Sequence, residues 1–255
     1  MKIMFLGKAP RQRSSGEASA MEKKLTANLS PGTKIVFDSP GDYDGSRAEK
    51  MLGQQKRLNG LDHAMVTTPL IQKTVWAAEN GFDAVVQSNT FDPGIEACRH
   101  LVGIPVIGIL RTAIHVASTL ADRVGVMVPL ESHVPYTWRI LRSYGVDGLI
   151  ADIQPLGIYG SDLKERIGEI TDAACKLIKG LAKDKGAHFV IPLGGALIPY
   201  IVDPADLQKA TGVPVMNTTV NAVRFAESCV LQGLSHSPLS YPRGRLKASD
   251  LLERA

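Results

Sequence analysis

Aromatic residues are scarce in this chain, at 5%, and neither sign of charge dominates: 29 lysines and arginines face 25 aspartates and glutamates. Few aromatics argue against a stacking platform for single-stranded nucleic acid. The net charge of +4 is mild, and the basic residues are scattered apart from Arg11/Arg13, Lys23/Lys24 and Arg243/Arg245/Lys247. Phosphate binders gather their charge into a stripe or face, so no nucleic-acid partner is expected. Cysteine is also rare. Cys98, Cys175 and Cys229 are odd in number and far apart, which fits neither a disulfide framework nor a zinc cluster and suits a reducing compartment. No apolar run approaches the ~20 residues of a membrane span. The opening Met1–Gly7 is too short for a signal peptide. A soluble, cytoplasmic protein without a membrane partner is expected. A Gly-x-Gly-x-x-Gly fingerprint is missing, and Gly7-Lys8 lacks the spacing of a P-loop, so no nucleotide cofactor is indicated. No histidine pair has metal-ligand spacing, and no metal is expected.

What is present is a chain of 255 residues, 44% hydrophobic and 21% charged, enough for a sizeable core. Short apolar runs alternate with helical patterns. Strands are expected at Lys2–Leu6, Thr33–Phe37, Phe82–Gln87, Val106–Leu110, Arg123–Val128, Gly148–Ile153, Ala187–Leu193 and Val213–Met216. Helices are expected at Gly16–Leu29, Ser46–Asn59, Pro93–Leu101, Thr112–Leu120, Ser132–Tyr144, Ser161–Asp184, Asp203–Ala210 and Thr218–Leu231. Thr67-Thr68-Pro69 reads as a cap with proline in the first turn, starting a further helix that runs to Asn80. The long helix after Ser161 repeats Leu163, Ile167, Ile170, Ala174, Leu177 and Ile178 at helical spacing. Strands joined by helices of this length imply parallel sheet.

One stretch organises the rest. The apolar run Phe82–Val86 stops at Ser88, Asn89 and Thr90, and Asp92-Pro93-Gly94 then opens a helix. A buried strand ending in polar groups before a helix is where open α/β sheets place ligands. The stretch has an echo. Gly81 to Thr90 matches Gly186 to Gly195 without gaps, and Gly103-Ile104-Pro105-Val106 returns as Gly212-Val213-Pro214-Val215. Two related halves follow, expected at 1–110 with 217–255, and at 111–216.

At these residues the chain resembles the aspartate/glutamate/hydantoin racemase superfamily, most closely its hydantoin-racemase branch, over about residues 60–232. The resemblance rests on Asp92-Pro93-Gly94-Ile95-Glu96-Ala97, Ala113-Ile114-His115, the segment Val134–Gly145, Leu193-Gly194-Gly195-Ala196 and Gly212–Val215, in that order. It implies two pseudo-symmetric, Rossmann-like α/β halves with parallel sheets and an active-site cleft between them. It also implies two catalytic cysteines, one at each echoed turn. One thiolate removes the proton alpha to a carbonyl, and the other thiol delivers one to the opposite face. Here the ungapped match puts Asn89 and Gly195 at those positions, and a one-residue slide puts Ser88 at the first. None of these is a thiol, and the three cysteines fall in expected helices as small core residues.

The remaining candidates are therefore polar groups and a few titratable ones. Asp92 and His115 are the acid/base candidates, with Ser88 as a third catalytic residue. His133 and His188 rank below them. Asn89, Thr90, Gly194, Gly195, Tyr200, Asn217 and Thr218 are expected to bind substrate, though several also fit as helix caps. The expected function is a cofactor-independent enzyme on a small carboxylate or hydantoin-like ring. It would polarise a carbonyl or thiocarbonyl in a hydrolase- or lyase-type reaction. A racemase or isomerase with substitute bases is the alternative, and a non-catalytic small-molecule binder a third. Homo-oligomerisation is left open.

Overall fold

The structure is a computed structural model. It describes residues 1–7, 20–40, 59–159, 162–194, 197–244, 247 and 250. The chain divides into two compact units. The first comprises Met1–Met51, Gly60–Ile109 and Ala222–Ala255, and the second Leu52–Asn59 and Leu110–Asn221.

In the first unit, strands β1 (Lys2–Leu6), β2 (Lys34–Asp38), β3 (Ala84–Gln87) and β4 (Val106–Gly108) form a parallel sheet in the order β2-β1-β3-β4. Leu6 pairs with both Asp38 and Gln87, and Gln87 with Gly108, so all four strands end level along one edge. Ile3, Met4, Phe5 and Leu6 are all buried, as a strand covered on both faces requires. The helices here are α1 (Ala20–Ala27), α2 (Asn59–Glu79) and α3 (Ile95–Arg99).

The helix before β3 corrects a sequence expectation. Thr67-Thr68-Pro69 does not start it; α2 runs through, with Pro69 inside. An internal proline costs about 3 kcal/mol in helix stability. Val66 and Leu70, either side of it, are fully buried against Met4, Leu6, Phe82 and Val85. Burying each is worth roughly 1.5–3 kcal/mol, so packing offsets the break. The helix expected at Ser46–Asn59 lies outside the described residues except for Asn59, which opens α2, and so does the start of the one expected from Gly16.

β4 ends at Gly108, and α4 (Ile109–Ala117) follows without a loop. The expected strand extended to Leu110. Ile109 and Leu110 instead belong to a buried helical stripe with Ala113, Ile114 and Ala117.

In the second unit, β5 (Val124–Val128) lies between β6 (Ile150–Pro155) and β7 (Phe189–Pro192), all parallel. The strand expected at Val213–Met216 is reduced to one bridge, Val190 with Val215. Proline explains this. Val190 donates its N–H to Pro214, and two residues on, facing the same side, Pro192 has none to give. The helices are α5 (His133–Ser143), α6 (Ile167–Lys185), α7 (Pro204–Thr211) and α8 (Thr218–Leu231), the last crossing into the first unit. Ile170, Ala174, Ile178 and Leu181 of α6 are all fully buried and pack with Met127, Val190 and Val215. Ile167 departs from the expected stripe: it opens the helix and is 47% exposed. The architecture is α/β with parallel sheets, as expected.

Candidate functional site

The polar groups expected to carry function stand at strand ends in each unit. In the first, Ser88 follows β3 directly and its N–H donates to Leu6 O at 2.8 Å. Asn89 folds its side chain back, its Oδ1 accepting the Phe91 N–H at 3.0 Å. Among the described residues the Ser88 hydroxyl and the Asn89 amide nitrogen make no hydrogen bond, so both are available to a ligand. Thr90 is buried.

Asp92 is the unusual residue. Its φ is +52°, the one positive value outside glycine among the described residues. Left-handed backbone is uncommon for a residue with a side chain, and aspartate is among the types that tolerate it. The conformation lays the carboxyl over β4. A Cβ built on Gly108 would lie 2.6 Å from Asp92 Cγ and 2.7 Å from either oxygen. Asp92 is 7% exposed, so this strand exit holds a carboxyl largely withdrawn from water.

Sequence reasoning missed a neighbour of this turn. His63, on α2, is 7% exposed, and its ring centroid is 5.3 Å from that of Phe91. The signal was hidden because α2 was expected to begin only after His63. Gln87, the last residue of β3, was also passed over. It is fully buried, and its Nε2 donates to Pro93 O at 2.9 Å.

In the second unit, Gly194 follows β7 with φ +85°. Its lack of a side chain serves packing: a Cβ there would sit 2.2 Å from Pro129 Cγ. Gly195 lies outside the described residues. Tyr200 turns its hydroxyl inward, away from water. Asn217 caps α8, its Oδ1 accepting the Val220 N–H at 3.1 Å. The next turn is more suggestive. Thr218 Oγ1, Thr219 Oγ1 and Asn221 Nδ2 are all buried with no hydrogen-bond partner among the described residues. Each such group costs about 1–3 kcal/mol if left unmatched, which points to a polar ligand or water there.

His115 sits in the last turn of α4 with its side chain exposed. Its pKa is held below the usual histidine value by partial desolvation and by Arg111 one turn earlier. His133 is the buried titratable side chain of the second unit among the described residues. Its Nδ1 accepts the Leu130 N–H at 3.2 Å, which makes the ring neutral with its proton on Nε2. The cysteines are all helical. Cys98 is fully buried, and burial pushes its thiol up to about 11, against smaller opposing effects from the Thr74 hydrogen bond and Arg99. Cys175 and Cys229 are half-buried on α6 and α8. No thiol stands at the end of a strand. No described helix is long and apolar enough to cross a membrane, and no group of three or more potential metal ligands occurs among the described residues.

Comparison with known proteins gives a consistent picture. A family model described as Asp/Glu/Hydantoin racemase matches residues 20–226. A hydantoin racemase from Rhizobium meliloti is 30% identical over 244 residues, covering 94% of this chain and 94% of that protein. Solved structures that share the fold include two allantoin racemases. An allantoin racemase from Klebsiella pneumoniae has a TM-score of 0.78 at 22% identity, covering 96% of this chain and 94% of its own. An allantoin racemase from Pseudomonas fluorescens has a TM-score of 0.79 at 22% identity, covering 97% and 98%.

Proposed function

Because this chain belongs to the Asp/Glu/hydantoin racemase family, we propose that it is an isomerase that exchanges the proton alpha to a carbonyl in a hydantoin-like ring. The relatives named as racemases favour this over the hydrolase or lyase reaction expected from the missing thiols. Asp92 carries the reading: a buried carboxyl, set by left-handed backbone at the exit of a central strand.

The chemistry follows from the groups at that exit. Removing a proton beside a carbonyl builds negative charge on the carbonyl oxygen, and donors aimed at that oxygen lower the barrier. Ser88 Oγ and Asn89 Nδ2 are the uncommitted donors. Asp92 takes the proton as general base. The resulting enolate is planar at the reacting carbon: return of the proton from Asp92 restores the starting hand, whereas a proton delivered by solvent water to the opposite face gives the other, with the proton on Asp92 released to solvent in exchange.

The test is solvent deuterium incorporation at the ring carbon of 5-substituted hydantoins and allantoin, read by NMR with loss of optical rotation followed in parallel. Exchange above the enzyme-free rate is expected. In Asp92→Asn it should fall by about 10²-fold or more. Ring-opened product instead of exchange, or an Asp92→Asn protein with full activity, would sink the proposal.

A further inference from the structure

The Gln87 carboxamide has one end satisfied and one end not. Its Nε2 donates to Pro93 O at 2.9 Å. That bond settles which end is nitrogen, because turning the amide over would set two carbonyl oxygens against each other. Its Oε1 is buried with no hydrogen-bond partner among the described residues. A buried acceptor without a donor costs about 1–3 kcal/mol, so the position of the nearest proton source matters.

Strand register supplies that position. Gln87 on β3 pairs with Gly108 on β4. Paired residues of neighbouring parallel strands project to the same face of the sheet, about 4.8 Å apart. Gly108 has no side chain, and the Asp92 carboxyl fills the place one would take, 2.6 Å from a built Cβ. The carboxyl and the Gln87 amide are therefore lateral neighbours on one buried face. An ionised carboxylate presents only acceptors to the amide oxygen. A protonated one presents a donor.

We propose that Gln87 is a positioning residue of this site: its Oε1 accepts a hydrogen bond from the Asp92 carboxyl whenever that carboxyl is protonated, and so raises its proton affinity towards working pH while leaving it ionised and able to take a proton at rest. This rests on the reading of Asp92 as the proton carrier. A hydrogen bond to the neutral form of an acid disfavours ionisation and raises its pKa. The carboxyl then ionises nearer to working pH, which suits a group that must both take and return a proton. From α2, His63 is the titratable side chain beside this turn. β4, with Val106, Ile107 and Gly108, contributes none, and Glu96 on α3 is exposed.

The experiment is a pH titration of the Asp92 carboxyl carbon by NMR in the full chain, carrying labelled aspartate, with Asp92→Asn used to assign the signal. It needs no substrate. Replacing Gln87 by methionine keeps the volume and removes the acceptor. The Asp92 midpoint is expected to fall by about one pH unit in Gln87→Met, a tenfold loss of proton affinity. His63→Gln should leave the Gln87-dependent difference in place, which separates the amide from the imidazole. If Gln87→Met does not fold, Gln87→Leu is titrated in its place. An unchanged midpoint in a folded variant overturns the proposal. Failure of hydantoin exchange with the midpoint shift intact overturns the substrate reading and leaves the Gln87 assignment standing.

Discussion

At the scale of single residues, function and packing compete for the same atoms. Gly108 lacks a side chain where the Asp92 carboxyl needs the space. Gly108→Ala should therefore push the carboxyl out of place with little effect on the rest of the sheet. We expect at least a tenfold loss of deuterium exchange, with a stability cost of about 1–3 kcal/mol by urea unfolding. Gly194 is the converse case. A side chain there meets Pro129 and must also accept φ +85°. Gly194→Ala should destabilise the fold by more than the ~1 kcal/mol of an ordinary glycine replacement, seen as a lowered thermal midpoint. The sequence marks Gly194 as a substrate-binding candidate, and only the coordinates show that a side chain there would meet a proline ring. Asp92 was legible as a candidate, because Asp-Pro-Gly after a strand is a local pattern. Gln87 and His63 were not. Their relevance depends on strand register and on which helix packs against the turn.

Secondary-structure elements were most legible where chemistry is local. Asp203 was expected to begin a helix and does so, its Oδ1 accepting the Ala205 N–H at 3.0 Å with Pro204 in the first turn. Replacing Asp203 by alanine should cost about 1 kcal/mol, measured as a lower urea midpoint with an unchanged slope. α8 was read with its observed bounds, Thr218–Leu231. Errors arose where packing outweighed a local signal. Pro69 resembled a first-turn proline, yet the buried stripe through Val66 and Leu70 carries α2 past it. The Val213–Met216 run resembled a strand, yet its partner β7 ends in Pro192 and supports only one bridge.

For the whole molecule, the first unit is assembled from both ends of the chain. Glu227 on α8 helps to join them. It is almost fully buried, accepts the Ser30 N–H at 2.8 Å and pairs with Arg224 at 2.9 Å. Burial is the largest single influence on its carboxyl and acts upward. Hydrogen bonds from Ser30 and Arg224, with the nearby Thr33 hydroxyl and the arginine charge, outweigh it and leave the pKa below the usual glutamate value. A depressed folded-state pKa adds stability that is complete above the unfolded value, about 4.3, and is lost as pH falls through the folded one. Urea unfolding across that range should show a weaker acid dependence in Glu227→Gln, and an unchanged dependence would exclude the role. At this scale the amino-acid order alone determined the α/β class, the repeated strand-turn-helix and the absence of a thiol at either turn. All three depend on hydrophobic period and residue identity along the chain. Tertiary structure decided that Asp92 lies over Gly108, that Gln87 pairs with Gly108 across the strands, and that Thr218, Thr219 and Asn221 bury unmatched polar atoms. Those relations join residues through strand pairing and close packing, which no local pattern encodes.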